Sequence, residues 1–506
     1  MKNNYLILLL SIITLMACGE TTTSHRPIVN PTTSTRPVVT SVDYDKLETN
    51  INDFTFVEVA GGYAVSKYVY KNRSTTRVVI PETYSGKNVV RINEEAFVLA
   101  SGIKKVVISK NIKVIEDAAF EGCNSVSWLE VASENQYYSS DNGLLFNKTK
   151  DTLYFSPEGI ESVVLPNSVK TIHKKAFYRS LAKSINLNDG VETIGDYCFS
   201  KTKELIELNM PDSVVSIGNG LFENAFKIKN VKLSNSLKVL PAATFALCPA
   251  ILEINIPDSV TTIERIAITD NDYLKKITFG KNVEFVGEWA IIRNTFLKEV
   301  VVSPKLNTIC DNAFSSNDHL TTITLNEGLE TIGAGAFALC PSLPKINIPS
   351  TVHTIGEGFV ANDKKLASID VDSNNQHFKN ENGVLLTKDG TRLLSYPSNK
   401  DGYSYNVPST VSTIDREAFS YCIRISYKEG VENIDGRLTL PVSVKKIGAY
   451  AFSYSNTITE IYYEGTTEQF KSISTSYIIE GESVTAFSLS SVSKIICSNG
   501  NVTAQK

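Results

Sequence analysis

The chain has 506 residues, of which 42% are hydrophobic and 21% are charged, and its formal net charge is -4. This composition excludes wholesale disorder and a polytopic membrane protein. The small negative charge argues against nucleic acid as a partner, because a nucleic-acid-binding protein needs a basic face to displace counterions. A chain of this length predicts several globular domains unless it is built of repeats.

The first 17 residues have the pattern of a signal peptide. Lys2 gives a positive start, and the apolar run from Tyr5 to Met16 is too short to span a bilayer comfortably. Ala17 before Cys18 resembles the lipobox of bacterial lipoproteins. This resemblance implies cleavage after residue 17, lipidation of Cys18 and anchoring in a membrane, with the outer membrane or cell surface favoured because residue 19 is glycine rather than aspartate. A plain secretory signal with a chance cysteine is the alternative.

Residues 18–48 are rich in Thr, Ser and Pro and show no helical or strand period. Such a composition buries too little apolar area to fold, and its prolines keep the chain extended. The segment therefore predicts a tether that holds a folded body away from the membrane.

One pattern recurs along the rest of the chain, and its clearest marker is a phenylalanine that usually follows alanine. From Phe177 to Phe359 the marker steps are 22 or 23 residues, too short for a repeat of paired helices. We therefore expect one coil of a solenoid per repeat. The markers are Phe97, Phe120, Phe177, Phe199, Phe222, Phe245, Phe314, Phe337, Phe359, Phe419 and Phe452, with Ile268 and Ile291 in two vacancies.

Each repeat opens with alternating apolar residues, as in Ile254-Asn255-Ile256-Pro257, which predicts a strand buried on one face. Asp258-Ser259 then supplies turn chemistry, and a Val-x-x-Ile-Gly segment brings the chain back inward. The marker phenylalanine fills the interior, and stacked coils form the core together. The expected fold is a mainly β solenoid of ~23-residue coils, with an irregular or short-helical convex side.

The segments PDSVVSIG, PDSVTTIE and GLETIGAGAFALC resemble the BspA-type bacterial leucine-rich repeat, and the resemblance covers about residues 54 to 475. It implies a right-handed leucine-rich repeat solenoid and a cell-surface adhesin or binding scaffold for a protein of a host or neighbouring cell. A carbohydrate-binding or envelope-structural lipoprotein is the alternative. An enzyme is not expected, since neither a nucleophile elbow nor a catalytic cysteine signature is present.

The repeats divide the chain into regions. We expect an irregular N-terminal cap over 49–96, repeats over 97–456 and a C-terminal cap over 457–506. Two insertions, at about 128–165 and 366–408, align at a constant offset of 240 residues over their central part. Each contains Asn-Gly followed by apolar residues, which is the signal of a hairpin turn.

The cysteines and histidines give no reactive site. Cys123, Cys248, Cys340 and Cys422 each follow a marker by three residues, and positions far apart on a solenoid cannot form a disulfide. Cys198, Cys310 and Cys497 occupy other positions, and buried free thiols are expected. No pair of histidines has metal-ligand spacing, so we expect no metal and no cofactor. The histidines are His25, His173, His319, His353 and His377.

The strand that opens each coil presents two rows of outward side chains on the expected concave face. The first row precedes the central apolar residue and includes Lys105, Trp128, Glu207, Asn230, Glu253, Lys276, Glu299, Thr322 and Lys345. The second row follows it and includes Asn186, Asn209, Asn255 and Asn347. Over some fifteen coils these rows predict roughly 70 Å of continuous face. We predict that they bind a protein ligand.

Two interpretations of the rows remain open. Glu253, Lys276 and Glu299 alternate in charge on successive coils, so they could stabilise the sheet or contact a partner. Stacked asparagines could likewise hydrogen-bond along the ladder. Trp128 is the one aromatic residue in the rows and therefore the one platform they offer to a glycan.

Overall fold

The computed structural model describes residues 49–69, 75–98, 100, 102–425, 436–479 and 481–506. The signal peptide, Cys18 and the tether lie outside them. The described chain is a mainly β solenoid, as the repeat spacing predicts, and its backbone ladders join residues 23 apart, such as the Lys298 N–H to the Lys275 carbonyl at 2.9 Å. A regular coil contributes one strand to a first ladder, a two-residue strand to a second ladder, and a turn on the third side.

The first ladder carries the predicted alternation of buried and exposed residues, because successive side chains of a strand point to opposite faces. In Glu253–Asn255 the central isoleucine is buried and its two neighbours are exposed. The strands of the first ladder are Arg77–Val79, Lys105–Ile108, Trp128–Val131, Ser162–Val164, Ser184–Asn186, Glu207–Asn209, Asn230–Lys232, Glu253–Asn255, Lys276–Thr278, Glu299–Val301, Thr322–Ile323, Lys345–Ile348, Ser368–Val371, Tyr405–Asn406, Leu438–Leu440, Glu460–Tyr463 and Lys494–Cys497.

The second ladder is built mostly from Thr-Ile pairs whose isoleucine enters the core. Its strands are Thr152–Phe155, Thr171–Ile172, Thr193–Ile194, Ser216–Ile217, Val239–Leu240, Thr262–Ile263, Phe285–Val286, Thr308–Ile309, Thr331–Ile332, Thr354–Ile355, Arg392–Ser395, Thr413–Ile414 and Lys446–Ile447. The third side is irregular. Among the described residues it forms a short ladder in the strands Phe245–Ala246, Ile268–Thr269 and Ile291–Ile292, where two successive coils have isoleucine in place of the marker phenylalanine.

The marker phenylalanines stack along the solenoid interior. The rings of Phe177, Phe199 and Phe222 are fully buried, with centroids 5.4 and 5.5 Å apart on successive coils. Phe359 is an exception to the assigned pattern. In the preceding coil the Phe314 N–H donates to the carbonyl of Ala336, the alanine before the marker Phe337. The Phe337 N–H donates instead to the carbonyl of Phe359. Phe359 therefore occupies the alanine position, and Val360 occupies the marker position. Both side chains are buried, which preserves the packing.

Both insertions form antiparallel hairpins with the Asn-Gly pair in the turn. Asn142 and Gly143 have φ of 48° and 80°, as a two-residue hairpin turn requires. The hairpins comprise Tyr138–Asp141 with Leu144–Asn147 and Phe378–Glu381 with Val384–Thr387.

The hairpins separate the hydrophobic interior into three cores. Leu145 packs in the N-terminal core, whereas Leu144 and Phe146 pack in the middle core. In the second hairpin Leu385 joins the middle core and Leu386 joins the C-terminal core. Because adjacent strand residues point to opposite faces, each hairpin strand contributes to two cores at once. This explains the uninterrupted apolar run after each Asn-Gly pair.

Irregular elements close the two ends of the described solenoid. The N-terminal end has a 3-10 helix, Ile51–Asp53, and the strands Phe54–Val59, Gly62–Tyr68, Thr83–Tyr84, Lys87–Ile92 and Val114–Ile115. The C-terminal end has an α-helix, Thr467–Lys471, the hairpin Ser476–Ile479 with Glu482–Thr485, and the last strand Gly500–Thr503. No helix within the described ranges is long and apolar enough to cross a membrane.

Candidate binding surface

The structure brings most residues of the two predicted rows into register on the first ladder. Glu253, Lys276, Glu299 and Thr322 lie side by side on successive parallel strands. Further neighbouring pairs across strands are Glu207 with Asn230, Asn209 with Lys232, Asn255 with Thr278, Asn186 with Val164, Lys345 with Ser368, and Asn347 with Asp370. We call the outward side of these strands the strand face.

Some charges on the strand face pair with one another. Lys276 Nζ lies 2.9 Å from a carboxylate oxygen of Glu299, and both side chains are partly exposed. Lys105 pairs with Glu130 at 2.6 Å across the two rows. Exposed pairs of this kind contribute about 0–1 kcal/mol. Their contribution to the stability of the fold is therefore small.

The first insertion interrupts the strand face. Trp128–Val131 ends one sheet and Ser162–Val164 begins another, so Lys105 and Trp128 are separated from the remaining row residues. Trp128, 44% exposed, packs against the hairpin turn, where a Cβ atom at Gly143 would come within 3.2 Å of its ring. The face is therefore not continuous over fifteen coils, because the inserted strands displace the ladder.

The structure adds an aromatic feature that the rows do not contain. Tyr273 and Phe296 are exposed in the turns just before the first-ladder strands, with ring centroids 6.2 Å apart. The His319 ring stacks on Phe296 at 4.9 Å. We call these three residues the aromatic strip. The signal is present in the sequence as aromatic residues at 23-residue spacing, but these residues precede the strands that carry the two rows.

Among the residues that the structure describes, hydrogen-bonded asparagine side chains stack in the interior and not on the strand face. Asn271, Asn294 and Asn317 lie three residues after successive markers and are fully buried. The side-chain oxygen of each accepts from a backbone N–H of the preceding coil at 2.8 to 3.2 Å. Each side-chain amide also donates to a backbone carbonyl. These residues are structural, because both polar ends of the side chain are satisfied inside the protein.

Cysteines occupy the same interior position in other coils. The thiols of Cys123, Cys248 and Cys340 face a backbone carbonyl at 2.9 to 3.2 Å. All seven cysteines within the described residues are free and all but Cys310 are buried, which confirms the expected thiols. Burial raises the pKa of Cys123 and of Cys248 to about 12, so neither thiol is a ready nucleophile at neutral pH.

Buried carboxyl groups lie beside the insertions. Glu158 accepts a hydrogen bond from the Gly122 N–H at 2.8 Å, and Asp363 accepts one from the Cys340 N–H at 2.7 Å. The second oxygen of each carboxyl has no hydrogen-bond partner among the described residues. Burial raises the pKa of both groups. Across the part of the chain that the structure describes, no cluster of His, Cys, Asp or Glu could hold a metal ion.

Several solved leucine-rich repeat structures are similar to this chain. A leucine-rich repeat protein from Eubacterium ventriosum is 25% identical over 52% of this chain, with a TM-score of 0.40, and the match spans 65% of that protein's length. A leucine-rich repeat protein from Bacteroides ovatus is 19% identical, with a TM-score of 0.45, and covers 84% of this chain and 97% of its own. A leucine rich cell surface protein from Faecalibacterium prausnitzii is 19% identical, with a TM-score of 0.40 and coverage of 85% and 98%.

No curated protein matches the chain. The family model described as the BspA type leucine rich repeat region matches residues 63–148, 148–275, 269–382 and 398–500. These matches include the first hairpin-bearing insertion, part of the second and most of the solenoid. The chain therefore belongs to the BspA type leucine-rich repeat family.

Proposed function

We propose that this protein is a lipid-anchored cell-surface scaffold or adhesin that binds a protein of a host or neighbouring cell through its strand face. The supporting observation is the middle part of the face, where no insertion separates one coil from the next. Ten strands from Ser162–Val164 to Ser368–Val371 follow one another there. At about 4.8 Å per strand they span roughly 45 Å. Their outward side chains are mostly polar and differ from coil to coil, as selective recognition requires.

Charge reversal tests the strand face. The variant Glu253→Lys, Lys276→Glu, Glu299→Lys keeps the alternation of opposite charges on neighbouring strands, and therefore their mutual attraction. It inverts the sign of each charge that a partner would meet. We expect a protein partner identified on arrays of matrix and serum proteins to bind at least about tenfold more weakly. The measurement is surface plasmon resonance with the purified chain.

A matched control reverses an exposed ion pair beyond the rows. Asp258 and Lys281 pair at 3.0 Å in the turn that follows the strands. The variant Asp258→Lys, Lys281→Glu should retain binding within about twofold. Unchanged binding of the triple variant would contradict a role for the strand face.

The anchor follows from the pattern around Cys18. Replacing Cys18 by serine removes the thiol that would carry the lipid, so the variant should move from the membrane fraction to the soluble fraction. Stable anchoring takes two acyl chains, and the lipid-carrying residue is Cys18 itself. Its replacement removes the lipid, so the release should be nearly complete. Retention of Cys18→Ser in the membrane would refute the lipoprotein assignment.

A carbohydrate-binding role is the second candidate, and the exposed ring of Trp128 supports it. Trp128→Ala would then abolish binding to a polysaccharide array, whereas the triple charge variant would retain it.

A further inference from the structure

The middle coils carry an exposed apolar patch beside the strand face. Tyr273 is 58% exposed and Phe296 is 41% exposed, although each already stacks on a neighbour within the aromatic strip. Leu252, on the preceding coil, is 46% exposed. Single exposed apolar side chains are ordinary on protein surfaces, but a contiguous set bordered by polar groups is typical of an interaction site.

Two lysines border this patch on the side of the strands. The Lys275 N–H donates to the Leu252 carbonyl at 2.8 Å, and the Lys298 N–H donates to the Lys275 carbonyl at 2.9 Å. Leu252, Lys275 and Lys298 therefore occupy one position on three successive coils. Both lysines are exposed, and neither forms an ion pair with a described residue.

Sheet stability does not account for these lysines. Like charges on directly neighbouring strands repel one another, whereas opposite charges attract. One residue further along the chain, Lys276 faces Glu299 and their charges compensate. Lys275 and Lys298 form no such ion pair with a described residue, and the exposed Asp272 of the adjoining turn accepts instead from the Thr295 hydroxyl at 3.1 Å. Both ammonium groups can therefore contact an external carboxylate.

We propose that the aromatic strip, with Leu252, Lys275 and Lys298, binds an acidic segment of a protein partner. Carboxylates of the partner contact the two lysines, and an aromatic or aliphatic side chain packs against Tyr273, Phe296 and Leu252. This inference rests on the proposed protein-binding function and names the chemistry of the partner. Aromatic side chains commonly supply most of the energy of an interface, while charges at the rim set orientation and association rate.

The test uses a random copolymer of glutamate and tyrosine as the probe, with polyglutamate, polylysine and heparin for comparison. The purified chain should bind the copolymer at least about tenfold more tightly than polyglutamate, because the tyrosines reach the aromatic strip. Added salt should weaken this binding. Polylysine should not bind.

Three double variants locate the contact. Lys275→Glu with Lys298→Glu should weaken copolymer binding at least about tenfold, and Tyr273→Ser with Phe296→Ser should remove the preference for the copolymer over polyglutamate. Lys238→Glu with Lys305→Glu makes the same charge change in exposed turns elsewhere on the middle coils and should alter binding less than about twofold. Thermal unfolding of each variant verifies that the fold is kept.

Several outcomes would overturn the proposal. These are failure of the copolymer to bind, equal binding of polyglutamate, and equal damage by the control variant. Heparin binding that depends on Tyr273 and Phe296 would assign the patch to an anionic polysaccharide instead. A further outcome is that charge reversal at Glu253, Lys276 and Glu299 abolishes binding of a protein partner, whereas the patch variants leave that binding unchanged. In that case the proposed function stands and this inference fails.

Discussion

The residue three positions after each marker lies at a buried bend of the coil, which we call the corner. Its side chain is an asparagine, a cysteine or an aspartate in several of the coils. At this corner the side chains of Asn271, Asn294 and Asn317 use both the oxygen and the NH2 group of the amide in hydrogen bonds. Asp363 occupies the same corner next to Cys340, but only one of its oxygens has a hydrogen bond. Burial holds its pKa well above the usual range, so the folded chain holds this proton to a higher pH than the unfolded chain does.

We expect Asp363→Asn to stabilise the protein at neutral pH. The amide can accept from the Cys340 N–H and also donate to a carbonyl, as the asparagines do, so the gain should be about 1–3 kcal/mol. In the natural chain the free energy of unfolding should fall as pH rises from about 4, because the unfolded state then binds fewer protons than the folded one. Urea denaturation followed by circular dichroism at pH 4 and pH 7 measures both effects.

The reciprocal variant Asn317→Asp serves as the control. It should introduce the same penalty at neutral pH and lose it near pH 4, where the carboxyl is protonated. An Asp363→Asn variant with the same free energy of unfolding as the natural chain at pH 7 would show that burial of the Asp363 carboxyl does not reduce stability.

The insertion hairpin is the element that makes this solenoid differ from a uniform stack of coils. Its fold depends on one buried asparagine at the start of each insertion. Asn375 donates to the carbonyls of Pro349 and Val352 at 2.8 and 2.9 Å, and its oxygen accepts from the N–H groups of His377 and Phe378, both at 2.8 Å. Asn135 makes the equivalent four hydrogen bonds in the first insertion. The duplicated motif is therefore structural.

Asn375→Ala should destabilise the second insertion. The substitution removes the hydrogen bonds to the carbonyls of Pro349 and Val352 and leaves the N–H groups of His377 and Phe378 without their acceptor, which costs about 2–4 kcal/mol. The neighbouring Asn374 is exposed, so Asn374→Ala should cost less than about 0.5 kcal/mol. Hydrogen exchange read by mass spectrometry should show faster exchange over 366–396 in the first variant. Equal exchange in both variants would exclude this role for Asn375.

At the scale of the whole molecule, the described solenoid has three large cores joined at two hairpins. Within a core, neighbouring coils share backbone ladders and stacked phenylalanines. At the hairpins the first ladder is interrupted, and the buried carboxyls Glu158 and Asp363 lie nearby with one oxygen unpaired. Stability in a solenoid is a sum of repeat and interface terms, so the cooperativity should be lowest where the interface is poorest.

This arrangement predicts unfolding in separate steps. Phe452→Ala opens a cavity in the C-terminal core and should cost about 3–5 kcal/mol there. Hydrogen exchange should accelerate over 405–425 and 436–479 and remain nearly unchanged over 184–348. Phe222→Ala, in the middle core, should give the reverse pattern. Uniform acceleration along the chain in either variant would show that the three cores unfold as one unit.

The sequence by itself determined the repeat, the buried face of each strand and the burial of the marker residues. These features are local, because hydrophobic spacing specifies which side chains leave water whatever the neighbouring coil contains. It also predicted the hairpin turns at Asn142-Gly143 and Asn382-Gly383, where backbone geometry selects the residues.

Only the tertiary structure decided how the coils contact one another. It showed that a hairpin strand divides the interior, that Lys105 and Trp128 lie apart from the other row residues, and that Tyr273, Phe296 and His319 stack beside the strands. Such contacts join residues of different coils, and their register depends on where an insertion displaces the ladder. The repeat period alone carries no information on that displacement, so the shape of the binding surface follows from packing between coils.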